Sequence, residues 1–518
     1  MKGKKKSILR IARVTLAFLS VVAMTLLFAA GARSGALAFM AKAQLIPSLL
    51  AVNVVVLVAL LLLTLLVGRL YCSVICPLGI TQDLFNWITK KVGGKRQAIR
   101  FGYSKPRNVL RYTVLALYAV AVILGIGSVI ALLDPYAAFG RIMTDVFGTV
   151  TVWLNNVLSG VMPGLFGREE YIAVNALSLS VAIVTLVVVA FMAVRGGRTY
   201  CNTICPVGSL LGLISRCSVL KVRIDTDKCN GCGLCGKKCR ASCIDTKNHK
   251  VDYSRCVDCF DCIDNCNQGA ISFGVPVKNK VNVMDNDKSR EADDVSRRKF
   301  LSALAMVSVA GTKLWAKEKV EKVESLVDGK APERHTAVSP FGSISHKHLN
   351  SKCSACHLCI DKCPQKVLRP ALREYGLDGL MQPVMDYTVS FCDYDCTLCG
   401  EVCPAGAIKP LTLDEKQSTH IGLAVYSKED CVVSHGTLLC GVCKQACPAD
   451  AITLVPDYNE PLTEAELETL AEMPADERTR ARYRLYPQID SDLCIGCGAC
   501  QYRCPTKAIV VNGFPEHR

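Results

Sequence analysis

The chain has 518 residues, 51% of them apolar, a formal net charge of +16 and 30 cysteines. That length and long uncharged runs exclude a disordered chain and a small secreted disulfide scaffold. The positive balance does not signal nucleic acid, because the basic residues flank apolar runs and interleave with no aromatic or base-reading module.

Four apolar runs open the chain: Val14 to Ala32, Ala43 to Gly68, Tyr112 to Leu133 and Tyr171 to Val194. Each is long enough for a helix to cross a hydrocarbon core of about 30 Å. Val146 to Gly167 is also uncharged, but Asn155, Asn156, Pro163 and its glycines predict an interfacial or re-entrant segment. Lys2, Lys4, Lys5, Lys6, Arg10 and Arg13 precede the first run, basic residues from Arg69 to Arg111 fill the second-to-third loop, and Arg195 and Arg198 follow the fourth run. The other two loops carry few or offset positive charges. The positive-inside rule places the N-terminus, the second loop and the chain just beyond Val194 in the cytoplasm.

A repeat lies within this half. Gly68-Arg69-Leu70-Tyr71-Cys72-Ser73-Val74-Ile75-Cys76-Pro77-Leu78-Gly79 returns as Gly197-Arg198-Thr199-Tyr200-Cys201-Asn202-Thr203-Ile204-Cys205-Pro206-Val207-Gly208. The copies follow the second and fourth runs, so the predicted helices form parallel two-helix repeats about an axis normal to the membrane. C-x3-C puts both thiols on one helical face. Cys72, Cys76, Cys201 and Cys205 therefore fit a shared metal or cluster, redox-active thiol pairs, or pairs that merely pack. Cys217 and Cys243 fit no pattern and read as inert thiols.

Six cysteine runs follow. Cys229, Cys232, Cys235, Cys239 and Cys256, Cys259, Cys262, Cys266 both obey C-x2-C-x2-C-x3-C. So do Cys353, Cys356, Cys359, Cys363 and Cys494, Cys497, Cys500, Cys504. Cys392, Cys396, Cys399, Cys403 and Cys431, Cys440, Cys443, Cys447 are variants with longer first spacers. In such runs three thiolates hold one [4Fe-4S] cluster and the fourth ligates its neighbour. Structural zinc uses two pairs per ion instead of runs of four ending in Cys-Pro, as at Pro364, Pro404, Pro448 and Pro505. Cys353 to His357 also reads as C-x-x-C-H, a haem attachment signature, but haem there would orphan Cys359 and Cys363.

Composition divides the chain into a membrane domain (1–222), a two-cluster module (223–274), a polar linker (275–295), a twin-arginine signal or anchor-like segment (296–316), a charged connector (317–350) and a four-cluster domain (351–518). Ser296-Arg297-Arg298-Lys299-Phe300-Leu301 precedes a short apolar stretch ending at Thr312, too short for a span and suited to a signal core. Thr463 to Arg484 reads as a polar helical insertion. The predicted fold is an α-helical membrane domain of four spans plus α+β ferredoxin-like 4Fe-4S modules.

The GRxYCxxICPxG pair with the Cys229 to Cys266 segment resembles the membrane polyferredoxin of the periplasmic nitrate reductase pathway, within a wider 4Fe-4S membrane family that includes a nitrous-oxide reductase regulator and cytochrome oxidase accessory proteins. The second half, with its twin-arginine sequence, resembles that pathway's exported four-cluster ferredoxin. Arg240 and Asn267 stand where the membrane family has proline, and two polypeptides are here one. The resemblance implies a quinol dehydrogenase of the inner membrane, relaying electrons through six clusters to a periplasmic redox acceptor protein. The alternative it implies is an accessory protein maturing a cytochrome oxidase- or amine dehydrogenase-type metalloenzyme.

All eight histidines lie at or beyond His249, so no span supplies bis-histidine haem ligation, and no nucleotide loop is present. Asp134, Tyr136 and Arg141 are candidates for a quinone pocket by their chemistry. Cross-ligation joins Cys266 to Cys229, Cys232 and Cys235, and Cys239 to Cys256, Cys259 and Cys262. For the last four runs the resemblance implies nested pairing, first with fourth and second with third; sequential pairing is the rival. Export puts the two modules on opposite faces of the bilayer, with quinol as their expected link; the rival is a single cytoplasmic six-cluster wire with Phe300 to Thr312 as a surface or interfacial helix.

Overall fold

The computed structural model describes residues 7–29, 35–92, 101–162, 175–275, 334–435, 440–462 and 483–518. The twin-arginine segment, nearly all of the polar linker and most of the insertion at Thr463 to Arg484 lie outside these residues.

Two of the four predicted spans are single helices and two are interrupted. The first is α1 (Ile8–Ala29). After α2 (Gly35–Lys42), the second run divides into α3 (Leu45–Leu50) and α4 (Val54–Val67). Asn53 starts α4, its side-chain oxygen accepting from Val56 N–H at 3.3 Å. The motif helices α5 (Tyr71–Val74) and α6 (Pro77–Val92) come next. The third run breaks at left-handed Gly125 into α7 (Asn108–Leu124) and α8 (Gly127–Leu133). It continues as α9 (Pro135–Arg141) and a π-helical turn, Ile142–Gly148. The uncharged fifth stretch forms α10 (Thr149–Val161). The last run is α11 (Ala176–Gly196), followed by the second motif copy as α12 (Thr199–Thr203) and α13 (Pro206–Ser215). Only α1 and α11, among the described residues, are long and apolar enough to cross a membrane as unbroken helices.

The first ferredoxin-type module pairs β1 (Lys221–Ile224) with β4 (Ile271–Gly274) and β2 (Ile244–Asp245) with β3 (Lys250–Val251), all antiparallel. These ladders carry α14 (Leu234–Lys238) and α15 (Asp261–Asn265). The C-terminal module has three more antiparallel pairs: β5 (Leu368–Pro370) with β6 (Pro383–Met385), β7 (Gly422–Tyr426) with β10 (Ile509–Gly513), and β8 (Ile452–Pro461) with β9 (Tyr483–Ile489). This module begins before Ser351. Val338, Phe341 and Leu349, within the expected connector, are buried in its cores, because an apolar segment among charged neighbours finds its burial there.

The two modules meet opposite ends of α1. Arg10 ion-pairs Asp261 at 2.7 Å and Asp264 at 3.0 Å in the first module. At the other end Phe28 packs on Phe139 with ring centroids 6.1 Å apart, and Gly140 lies against the Cys356 carbonyl so closely that a Cβ would collide. Arg10 and Phe28 are about 27 Å apart at the helical rise. The C-terminal module is held at that end by Arg141, which donates to Ala355 O at 3.1 Å, and by Asn175, which donates to Pro370 O at 3.3 Å.

Candidate metal centres

Each cysteine run folds into the same local shape. In the four regular runs the residues flanking the second cysteine are left-handed: Gly231 and Gly233, Asp258 and Phe260, Ala355 and His357, Gly496 and Gly498. Such backbone turns its N–H groups into a concavity, the form that receives anions and iron–sulfur sites. The two variant runs use Thr397 and Gly441 instead, with extended φ of −117° and −138°, to start the helix bearing the third cysteine. Beyond the fourth cysteine, the third residue is left-handed in all six runs: Ser242, Gly269, Lys366, Gly406, Asp450 and Lys507. Six of the fourteen positions are glycine, which takes this conformation without strain, and tertiary context holds the other eight in place. Ala270 and Ala451 N–H groups donate to Cys266 and Cys447 Sγ, each at 3.3 Å.

The thiols converge on cavities. Cys229, Cys232, Cys235 and Cys266 line one, and Cys239, Cys256, Cys259 and Cys262 another, the cross-pairing that the spacing predicts. In the C-terminal module the grouping is sequential. Cys363 joins Cys392, Cys396 and Cys399, while Cys403 faces Cys353, Cys356 and Cys359. Cys447 joins Cys494, Cys497 and Cys500, and Cys504 joins Cys431, Cys440 and Cys443. The nested expectation is therefore corrected: each consecutive pair of runs folds as its own two-nest unit. The units abut where Cys392 N–H donates to Cys497 O at 2.9 Å.

This donor chemistry fits clusters. Four thiols and nearby N–H donors surround each cavity, and burial pushes the Cys356 thiol up to about 12. A buried thiol stays neutral unless a bound metal or a neighbouring positive charge offsets the thiolate. Cys243, expected to be inert, lines the second cavity, its sulfur 3.5 Å from that of Cys239. Its spacing four residues after a fourth cysteine, where Ala270 and Ala451 stand in other runs, was the available signal.

Cys72, Cys76, Cys201 and Cys205 are all buried within one apolar core. The two motif copies exchange equivalent contacts. Arg198 Nη1 donates to Cys72 O at 2.6 Å and Arg69 Nη2 to Cys201 O at 3.3 Å. Gly79 and Gly208 have no room for a Cβ against those carbonyls and guanidiniums. The motif's first glycines, Gly68 and Gly197, are left-handed or nearly so and press on Asp258 and Arg240 of the first module. Gln82 Nε2 lies 3.2 Å from Cys201 Sγ, and Gly208 N–H donates to Cys205 Sγ at 3.3 Å. Asp83 ion-pairs with Arg13, with Arg198 at 2.8 Å and with Arg240 at 3.1 Å. Among the described residues no three His, Cys, Asp or Glu side chains converge on a single metal ion.

Asp134, Tyr136 and Arg141 are brought together, fully buried, beside the first C-terminal nest. The Tyr136 hydroxyl, Asp134 Oδ2 and Arg141 Nε and Nη2 are buried without a hydrogen-bond partner among the described residues. His357 links the same loop to the nest, Nδ1 standing 3.0 Å from Asp145 Oδ1 and Nε2 3.0 Å from Met381 O.

The 4Fe-4S binding domain family matches residues 49–95 and 177–225, and the 4Fe-4S dicluster domain family matches residues 438–508. The chain is 26% identical to the putative electron transport protein YccM of Escherichia coli, over 43% of this chain and 55% of the relative. It is 27% identical to the methylamine utilization ferredoxin-type protein MauM of Methylobacillus flagellatus, over 35% and 69%. It is 29% identical to the ferredoxin-type protein NapG of Escherichia coli, over 34% and 69%. The chain thus spans about half of YccM and about two thirds of the other two.

Proposed function

From an iron–sulfur electron-transfer chain homologous to ferredoxin-type proteins, we propose a multi-pass protein of the bacterial inner membrane that oxidises quinol and relays the electrons to a periplasmic redox acceptor protein. The observation that carries this reading is the junction at Cys356. There a nest of the C-terminal module rests on the buried Asp134, Tyr136 and Arg141 at one end of the helices. Exposed apolar side chains on those helices, such as Phe18, Val55, Leu62, Ile123, Val187 and Phe191, support contact with lipid.

Each nest, once loaded, supplies a one-electron carrier. The unpartnered Arg141 nitrogens and the Tyr136 hydroxyl are donors for quinol oxygens, and Asp134 is the carboxylate placed to take a proton as the electrons leave singly. The sequential nests lead from Cys356 through Cys399 and Cys497 to the group at Cys431, the exit facing an acceptor. The first module, at the Arg10 end, lies in the cytoplasm on this reading, and the C-terminal module in the periplasm.

Adding a short-chain quinol to anaerobic membranes and following cluster reduction by EPR tests this. Reduction in the wild type, and its loss in Asp134→Asn and Arg141→Lys with iron retained, is the expected pattern. Equal reduction in all three proteins removes quinol from the account. The MauM relatives, named for methylamine utilization, favour as second reading an accessory protein that matures another metalloenzyme. Cluster reduction by quinol, without any loss of a partner enzyme's cofactor in a deletion strain, separates the two.

A further inference from the structure

We infer that Cys72, Cys76, Cys201 and Cys205 hold a polynuclear iron–sulfur cluster through which electrons cross the bilayer between the two ferredoxin-type modules. This rests on the reading that the helical half spans a membrane and that the six nests hold clusters.

Charge is the first argument. Arg69 and Arg111 are buried and ion-pair with no carboxylate among the described residues; their partners are Asn202, Ser254, Gly208, Cys201 and Cys72. Arg13, Arg198 and Arg240 share Asp83, with Arg240 also paired to Asp261 at 2.8 Å. Buried cations are costly unless paired. Four neutral thiols leave this excess unbalanced, whereas four thiolates around an iron–sulfur core carry net negative charge into the middle of it. Arg69 Nη2 already lies 3.9 Å from Cys72 Sγ, and Arg198 Nη1 4.0 Å from Cys201 Sγ.

Ligand spacing is the second. A single tetrahedral ion with bonds of about 2.3 Å draws its sulfurs to within about 4 Å of one another. No group of three ligands among the described residues is that tight, in the quartet or in the six nests. In this the quartet does not differ from the nests, and the 4Fe-4S binding domain family matches the two segments that contain it.

Position is the third. One continuous buried core contains Cys239 and Cys262 of the first module, the quartet, Tyr71, Tyr200 and Tyr136, and Cys356 of the C-terminal module. Arg198 N–H donates to Arg240 O at 2.9 Å, beside Cys239, and Arg69 donates to Ser254 O at 3.0 Å, two residues before Cys256. The modules contact α1 at points about 27 Å apart, a gap that a site between them divides into shorter hops. Quinol then feeds this line at the Cys356 junction and is not needed as the link across the membrane. Each hop oxidises one site and reduces the next by one electron; no bond or proton moves.

The test uses the full chain, purified anaerobically and sealed into quinone-free vesicles that enclose ferricyanide. External dithionite is the electron donor, with potassium and valinomycin carrying the compensating charge and protein-free vesicles as the baseline. The enclosed ferricyanide is expected to be reduced by the wild type, and at the baseline rate by Cys72→Ser and Cys205→Ser. Those variants are also expected to lose about two to four iron atoms while the EPR signals of the six nests persist. No internal reduction by wild-type protein with all nest signals intact overturns the inference and leaves the cluster reading standing. Wild-type protein without nest signals removes that reading instead. Wild-type rates in both variants also overturn the inference, and the wild-type arm decides even where a variant fails to fold.

Discussion

Arg198 donates to the carbonyl of Cys72 at 2.6 Å, so the arginine of one motif copy fixes the cysteine backbone of the other. The same guanidinium holds Asp83 through two bonds, at 3.0 and 2.8 Å. Lysine cannot reproduce a fork of this kind. Arg198→Lys is expected to destabilise the helical half, and Asp83→Asn, which leaves Arg13 and Arg198 without a carboxylate while Arg240 keeps Asp261, to cost about 3–5 kcal/mol. Thermal unfolding in detergent checks both; an unchanged midpoint for Asp83→Asn contradicts the ion-pair account.

The sequential grouping of the C-terminal nests makes a second prediction. Cys504→Ser should remove the same EPR signal as Cys440→Ser and spare the one lost in Cys353→Ser. If Cys504→Ser and Cys353→Ser instead lose a common signal, the nested grouping is restored.

Gly140 carries the third. A side chain there meets the Cys356 carbonyl, so Gly140→Val should loosen the C-terminal module from the helices at a cost of about 1–3 kcal/mol. Limited proteolysis should then cut the described loops around Pro370 faster than in the wild type, with total iron unchanged. Equal cutting rates argue that the module is held elsewhere.

His517 gives a pH prediction. Burial, with His346 beside it, lowers its pKa to about 4, and its Nε2 lies 2.8 Å from Ser339 Oγ. The unfolded chain takes up this proton first as the pH falls through the ordinary histidine value. Stability from the neutral ring is therefore complete above about pH 6.5 and lost progressively towards pH 4, by at most about 3 kcal/mol. His517→Gln should flatten that part of the stability profile. A slope identical to wild type in this window sinks the assignment.

The nests were legible in the sequence because ligand spacing is local: three thiols within seven residues need only a turn and a short helix. Their grouping was not, since the partner of Cys363 depends on how two distant runs fold together, and Cys-Pro pairs at Pro364 and Pro404 are alike in every scheme. The motif repeat foretold that Cys72 and Cys201 would be neighbours, yet Arg69 and Arg198, repeated within it, counted only as loop charges. Their burial depends on carbonyls and Asp83 contributed from other elements. The breaks at Asn53 and Gly125 were hidden by apolar composition, which sets length but not continuity. Cys243 was missed because its partner, Cys239, belongs to a run that looks complete without it.

Iron and acid-labile sulfide counted per chain in anaerobically purified protein, with Mössbauer spectra to identify cluster type, test the central claim most directly. The account predicts about 24 iron atoms in four-iron clusters from the six nests, with about two to four more from the quartet. Zinc in place of iron, or iron well below that of six four-iron clusters after anaerobic reconstitution, contradicts it.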